Sequence, residues 1–283
     1  MAQFKPTVLV TGARGQLGQE LVNFQTDKLN IVGLDRNQLD VTDLGMCRRA
    51  MVAYCPYAII HAGAYTAVDK AEIESDEAYK INAIGTRNLA VASREAGSKL
   101  CYISTDYVFD GKGDKPYNEY DKTNPQSVYG KSKLAGELLL QSLSQSYFIV
   151  RTSWVYGQYG NNFVKTMLKL AQEKNSLTVV NDQIGSPTYT WDLSRFLIEL
   201  VQTEAYGVYH ASNVGECSWF EFAEAIFEES QNKIKLTSCT TEEFPRPAHR
   251  PRYSVMDHSA IRQNGFNDLP HWRSALKSFL NPK

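Results

Sequence analysis

The sequence has no excess of charge of either sign. Thirty Lys and Arg residues face 31 Asp and Glu over 283 positions, a formal net charge of -1. That removes the global basic field that a nucleic-acid backbone requires. Cysteine is scarce. Cys47, Cys55, Cys101, Cys217 and Cys239 are an odd number, lie far apart and form no CxxC pair. Neither a zinc site nor a disulfide framework follows from such spacing, and the thiols read as reduced and mostly core filler. A long apolar run is missing too, so no segment is expected to span a bilayer. The short run between Lys5 and Gly12 lacks the length and the cleavage site of a secretory signal. On these absences a cytoplasmic chain is expected, with neither nucleic acid nor membrane as a partner.

What is present is a globular composition, 43% apolar and 22% charged, which excludes a disordered chain. The length fits one large domain or two smaller ones. Short β-branched runs alternate with amphipathic stretches through the first half. Strands are expected at Thr7–Val10, Asn30–Leu34, Ala58–His61, Leu100–Ser104 and Phe148–Arg151. Helices are expected from Leu17, at Leu44–Tyr54, along a face carrying Ala78, Ile81, Leu89, Ala92 and Ala96, and at Val128–Leu143. The strands are continuously apolar rather than alternating, which fits burial on both faces. The class is therefore α/β: a Rossmann-type doubly wound parallel sheet over residues 1–152. Beyond Arg151 the rhythm loosens at Gly157–Asn162 and Gly185–Pro187. Ser218–Glu221 has the form of a capping box opening a helix, Pro245–Pro251 reads as a loop, and Trp272–Phe279 as a short helix. Residues 153–283 are read as a smaller lobe folded onto the sheet, with some segments returning to it.

Three motifs bear chemistry. The stretch Thr11-Gly12-Ala13-Arg14-Gly15-Gln16-Leu17-Gly18 sits at the first strand-to-helix junction. Glycine permits a tight turn and close backbone approach to a pyrophosphate, and the helix start offers free N–H groups to the anion. The second strand ends at Asp35-Arg36. An acid there suits an adenosine ribose and an arginine a 2′-phosphate, so NADH and NADPH both stay open. Asp40-Val41 lies where an adenine edge would sit, although Asp-x-Thr-Asp also caps helices. Tyr129 and Lys133 are four positions apart, on one helical face. An ammonium beside a phenol lowers its pKa and fits it to move a proton on or off a carbinol oxygen. Ser104-Thr105-Asp106 closes the fourth strand, where open α/β sheets bind ligands, and Thr105 can hold a carbonyl oxygen beside Tyr129.

With these motifs the chain resembles the extended short-chain dehydrogenases/reductases, and among them the dTDP-4-dehydrorhamnose reductase family. The glycines and YxxxK mark the superfamily. The segments TAVDKAE from Thr66, STDYVFDG from Ser104, RTSWVYG from Arg151 and DQIGSPT from Asp182 mark the reductases. The resemblance implies reduction of the C4 ketone of a dTDP-sugar by NADPH or NADH, with residues 153–283 as the substrate-binding lobe. It implies Thr105, Tyr129 and Lys133 as the catalytic triad. Gly12, Arg14, Gly15, Gln16, Leu17, Gly18, Asp35, Arg36, Asp40, Val41, Ala62, Gly63, Ala64, Tyr65 and Asn82 would serve the cofactor, together with Tyr129 and Lys133. Thr66, Val68, Asp69, Thr105, Asp106, Trp154 and Arg250 would contact the sugar nucleotide, with Arg246 and Arg252 near its diphosphate. An aromatic face such as Trp154 stacks on sugar rings, although core packing is an equal reading. Some relatives join subunits through a magnesium held by acids. Glu20 matches one of them, but the later position is Trp191, so no structural magnesium is expected. The subunit count stays open, a homodimer being one arrangement. Two other readings share the scaffold: a sugar-nucleotide 4-epimerase or 4,6-dehydratase, and a non-catalytic subunit resembling methionine adenosyltransferase β.

Overall fold

A computed structural model describes residues 5–281 of the chain. The first half runs β1 (Thr7–Thr11), α1 (Gln16–Val22), β2 (Asn30–Leu34), α2 (Leu44–Tyr54) and β3 (Ala58–His61). Two short helices follow, α3 (Val68–Ala71) and α4 (Ser75–Tyr79), then a π-helical segment, Lys80–Gly85, and α5 (Thr86–Glu95). β4 (Lys99–Thr105) ends in a 3-10 turn at Asp106–Val108, and α6 (Val128–Leu143) leads to β5 (Tyr147–Thr152). The second half holds β6 (Val155–Tyr156), α7 (Phe163–Glu173), β7 (Ser176–Val180), β8 (Ile184–Gly185), β9 (Thr188–Tyr189) and α8 (Thr190–Leu200). It ends with β10 (Gly207–His210), β11 (Cys217–Ser218), α9 (Trp219–Glu229), β12 (Lys235–Cys239), α10 (Ser259–Gln263) and α11 (Trp272–Leu280).

Six parallel strands form the main sheet in the order β10-β5-β4-β3-β1-β2. The order reverses between β1 and β3, so the crevice above their carboxyl ends is the switch point of the doubly wound fold. Both faces are covered, as the apolar strands require. In β1, Val8 and Val10 pack with Leu21, Phe196 and Leu197 on one side. Leu9 packs with Ile59, Leu89 and Leu140 on the other. Each is fully buried, so truncation of Leu9 to Ala removes on the order of 2–5 kcal/mol.

The second half contributes to this body. β10 is the sixth sheet strand, and α8 and α10 supply Leu193, Phe196 and Ile261 to one face of the sheet. A separate core gathers Met167, Phe222, Ile226, Trp272 and Leu276. The expected capping box is present: Ser218 Oγ accepts from Glu221 N at 3.1 Å while the Glu221 carboxylate accepts from Ser218 N at 2.6 Å.

The helix expected through Ala78 and Leu89 is interrupted. The π segment inserts an extra residue per turn and shifts the face, so Asn82 and Ala83 are buried while Ile84 is exposed.

Candidate active site

The glycine turn after β1 is built by contact. Gly12 has φ +68°, and a Cβ there would sit 2.6 Å from the Gly63 Cα of the turn after β3. Gly15 N donates to Gly12 O at 2.8 Å and closes the loop. Gly15 caps α1 without any side-chain acceptor, so the first-turn N–H groups remain free for an anion. Asp35, at the end of β2, accepts from the N–H groups of Asn37 and Gln38 at 2.9 and 3.2 Å. Its other oxygen pairs with Arg14 Nε at 2.7 Å. Arg36 extends into solvent, 3.6 Å from Glu77. Asp40 accepts from Thr42 N and Oγ1, and the backbone bond holds its carboxyl below the usual range.

A cavity of about 790 Å³ joins this turn to the ends of β4 and β5, a size usual for cofactor and substrate clefts. In its wall stand Gly12, Arg14, Gly15, Gln16 and Leu17, with Asp35, Arg36, Asp40 and Val41 beyond them. Ala62, Gly63 and Ala64 line it from β3. Thr66, Thr105, Asp106, Tyr129, Lys133 and Trp154 close the other end. Thr152 Oγ1, also in the wall, is buried with no partner among the described residues. An open glycine turn, two exposed arginines and an unpaired hydroxyl in one cleft fit a dinucleotide with its diphosphate at α1.

Ser127 starts α6 by accepting from Gly130 N at 3.1 Å, and that sets Tyr129 and Lys133 on the face toward the sheet. Burial pushes the Tyr129 phenol up to about 12, against a smaller lowering by the nearby Thr105 hydroxyl. The expected lowering by Lys133 is absent. The Lys133 ammonium turns instead to Ile103 O at 2.6 Å and lies 4.0 Å from the Tyr102 ring centroid. Burial brings Lys133 down to about 7, opposed by the charge of Glu137. Asp106 accepts from Thr105 Oγ1 at 3.0 Å, and burial raises its carboxyl to about 6.

Eight expected site residues stand outside the wall. A Cβ on Gly18 would meet Gly12 O at 2.1 Å, so this glycine lets α1 pack on the turn and does not face the cleft. Tyr65 points away, its phenol donating to Glu74 at 2.5 Å. Asn82 is a brace: it accepts from Tyr65 N at 2.8 Å and donates to Tyr65 O and Ser132 Oγ. Val68 and Asp69 sit on α3 behind the wall, and Asp69 pairs with Arg250 at 2.9 Å and accepts from Ala248 N. The other arm of Arg250, Nη1, is buried without a partner among the described residues. Arg246 and Arg252 are exposed. Trp154 is packed by protein, against Trp219 and against the backbone of Gly185, where a Cβ would sit 2.7 Å from the indole. It also lines the cleft, one ring face being taken by Trp219, with centroids 3.6 Å apart. Its φ of +47° is an uncommon backbone state for a side-chain-bearing residue and sets the indole between the two. Ile81, Ile103, Gly160 and Asn161 line the cavity without having been expected. The last two arrive because Asn162 Nδ2 donates to Gln16 Oε1 at 3.2 Å, bringing the second half over the glycine turn. Glu20 accepts from Thr190 Oγ1 at 2.6 Å, and Trp191 packs on Phe24.

With this geometry in hand, comparison with known proteins is decisive. Residues 6–283 match the model of the RmlD substrate binding domain. The chain belongs to the RmlD family. A dTDP-4-dehydrorhamnose reductase of Aggregatibacter actinomycetemcomitans is 42% identical, over 96% of this chain and 97% of its own length. Spore coat polysaccharide biosynthesis protein SpsK of Bacillus subtilis is 46% identical, over 98% and 97%. Among solved structures, the dTDP-4-dehydrorhamnose reductase of Bacillus anthracis in complex with NADP superposes with a TM-score of 0.97 at 48% identity, covering 99% of this chain and all of that one. RmlD-family membership and the Rossmann-type α/β fold expected from the sequence are thereby established.

Proposed function

We propose that the protein reduces the C4 ketone of dTDP-4-dehydro-L-rhamnose to the alcohol of dTDP-L-rhamnose, using NADPH or NADH. The observation that carries this reading is one cleft lined at one end by the glycine turn and at the other by Thr105, Tyr129 and Lys133. When bound, the reduced nicotinamide supplies the hydride that adds to the keto carbon. Tyr129 donates its phenolic proton to the ketone oxygen as negative charge develops there. A phenol raised to about 12 stays protonated at neutral pH, the state a reductase requires of its donor. Thr105, whose hydroxyl donates to Asp106 in the free site, turns that proton to the same oxygen and orients it. Lys133 holds the ribose of the dinucleotide. The part of the Trp154 indole that reaches the cleft borders the sugar, Thr66 and Asp106 take its hydroxyls, and the unpaired arm of Arg250 takes the diphosphate. Asp35, paired with the exposed Arg14, offers its carboxylate to an adenosine ribose, and the exposed Arg36 beside it offers a guanidinium to a 2′-phosphate, so both dinucleotides are taken as cofactors.

The dehydratase reading is disfavoured by Tyr107. That position would need a second carboxylate, and burial drives the Tyr107 phenol upward, so it is no substitute. The three catalytic groups at the cleft argue against a non-catalytic subunit. No helix among the described residues is long and apolar enough to cross a membrane, and a cytoplasmic setting is part of the proposal. So is the absence of a structural magnesium, since Glu20 is engaged by Thr190 and its neighbour is an indole. The test is a steady-state assay of dinucleotide oxidation with dTDP-4-dehydro-L-rhamnose, run with NADPH and NADH, with the C4 configuration of the product determined. Turnover to the rhamnose configuration is expected with both. No oxidation with either, or NAD retained tightly through purification, overturns the reading.

A further inference from the structure

Behind the catalytic end of the cleft lies an ion pair that none of these roles uses. Glu137 is on α6, one turn beyond Lys133 and two beyond Tyr129. Its carboxylate takes both arms of Arg151 from β5: Nε donates to Oε1 at 3.0 Å and Nη2 to Oε2 at 2.7 Å. Ser104 Oγ, at the end of β4, donates to the same Oε1. Both charged side chains are buried, at 5% and 2% exposure for Arg151 and Glu137. Arg151 continues outward, with Nη1 3.3 Å from His210 Nε2 on β10 and its guanidinium 5.2 Å from the Phe109 ring centroid. The network thus ties α6 to three adjacent strands.

Stability alone is a poor reason for such a pair, because desolvation of two charges offsets much of their attraction. A two-bond fork does fix geometry. The atoms it fixes adjoin the chemistry: Ser104 precedes Thr105 in β4, and Glu137 follows Lys133 by four residues on one helical face. We propose that Glu137, clamped by Arg151, is a positioning residue for the reduction: it anchors the end of β4 that carries Thr105 and supplies the negative charge that keeps the Lys133 ammonium charged in a dry site. This rests on the catalytic roles given above to Thr105, Tyr129 and Lys133.

The Arg151 guanidinium that grips the carboxylate offsets part of its charge, and the other groups around Lys133 supply no negative charge of their own. From β4 come the Tyr102 ring and the Ile103 carbonyl. From β3 comes His61, which burial and the Lys133 charge hold neutral with a pKa of about 3. Tyr129, on the same helix, is protonated at neutral pH, and the Asp106 carboxyl acts on Tyr129. Asn82, behind α6, is neutral and bonded to Ser132.

Glu137→Gln keeps the shape and an acceptor for Ser104 while removing the charge. The alkaline limb of the kcat profile, which follows loss of the Lys133 proton, is expected to move down by about one pH unit, a roughly tenfold loss at a fixed pH on that limb. KM for the sugar nucleotide stays within about twofold, and Glu137→Asp moves the limb back toward wild type. A folded Glu137→Gln enzyme with an unmoved limb overturns the proposal. Ser104→Ala leaves the ion pair whole and tests the other arm, which keeps the proposal falsifiable if Glu137→Gln does not fold. Here kcat falls about tenfold with the limb in place, as expected for a displaced Thr105, and an unchanged kcat overturns the anchoring role. Tyr129→Phe run in parallel separates the two failures. If it is inactive while Glu137→Gln is unmoved, only the positioning role falls; if it turns over normally, the catalytic assignment falls and takes the proposal with it.

Discussion

At the nucleotide end of the cleft, the side chains of Arg14 and Arg36 keep 79% and 68% of their surface exposed. At the end proposed as catalytic Lys133 is 1% exposed, and burial moves three groups: Lys133 down to about 7, Tyr129 up to about 12 and Asp106 up to about 6. The same cavity therefore uses two electrostatic regimes. Charges in water recognise a highly charged ligand at small individual energies that salt screens. Charges without water act strongly on protons and tolerate little change. A substitution should matter by the end it touches, more than by the charge it removes.

The largest effect is expected from Lys133→Met, which keeps a long side chain against Tyr102 and removes the buried ammonium. Turnover falls about a thousandfold in the steady-state assay, and dinucleotide affinity falls with it. A loss no larger than that of an exposed arginine would erase the difference between the two ends.

Next comes Asp106→Asn, read as stability against pH. The folded pKa of about 6 lies above the ordinary 3.8. Between these values the folded state keeps a proton that the unfolded state releases, so wild-type stability falls as pH rises from about 4 to about 6. The penalty is complete above that window and on the order of 3 kcal/mol. Asparagine carries none of it. Denaturant titrations should show Asp106→Asn gaining on wild type as pH rises through the window, and a pH-independent difference would contradict the dry-site account.

The smallest effect is expected from Arg14→Ala. Loss of the exposed pair with Asp35 should raise KM for the dinucleotide about threefold at low ionic strength, and the difference should vanish in high salt. A salt-resistant loss would mean that this end is as shielded as the other.

The two regions also differ in how well the sequence foretells them. The strand Ala58–His61 matches its expected limits because a strand buried on both faces is continuously apolar up to its end; Asn30–Leu34, at the sheet edge and only partly buried, matches on its β-branched run. The glycine turn and the Tyr129–Lys133 pair are local in sequence, so their spacing already carries their geometry. The π segment at Lys80–Gly85 is not legible, since one extra residue in a turn leaves the apolar pattern nearly intact while rotating Asn82 inward. Helices Phe163–Glu173 and Thr190–Leu200 and strand Gly207–His210 go unassigned for another reason. Their ends are marked by tertiary contacts, such as Asn162 on Gln16 and Glu20 on Thr190, which no local pattern announces. The same holds for Tyr65 and Asn82. The motif places them near the cleft, but only the fold turns one toward Glu74 and makes the other a brace.

The most direct test is Tyr129→Phe, measured for NADPH affinity by fluorescence titration and for turnover of dTDP-4-dehydro-L-rhamnose. Removing one oxygen should leave affinity within about threefold of wild type and lower kcat about a thousandfold, because on this account the glycine turn and Lys133 hold the dinucleotide while the Tyr129 oxygen supplies only the proton. Wild-type turnover by the phenylalanine variant would contradict the account at its centre.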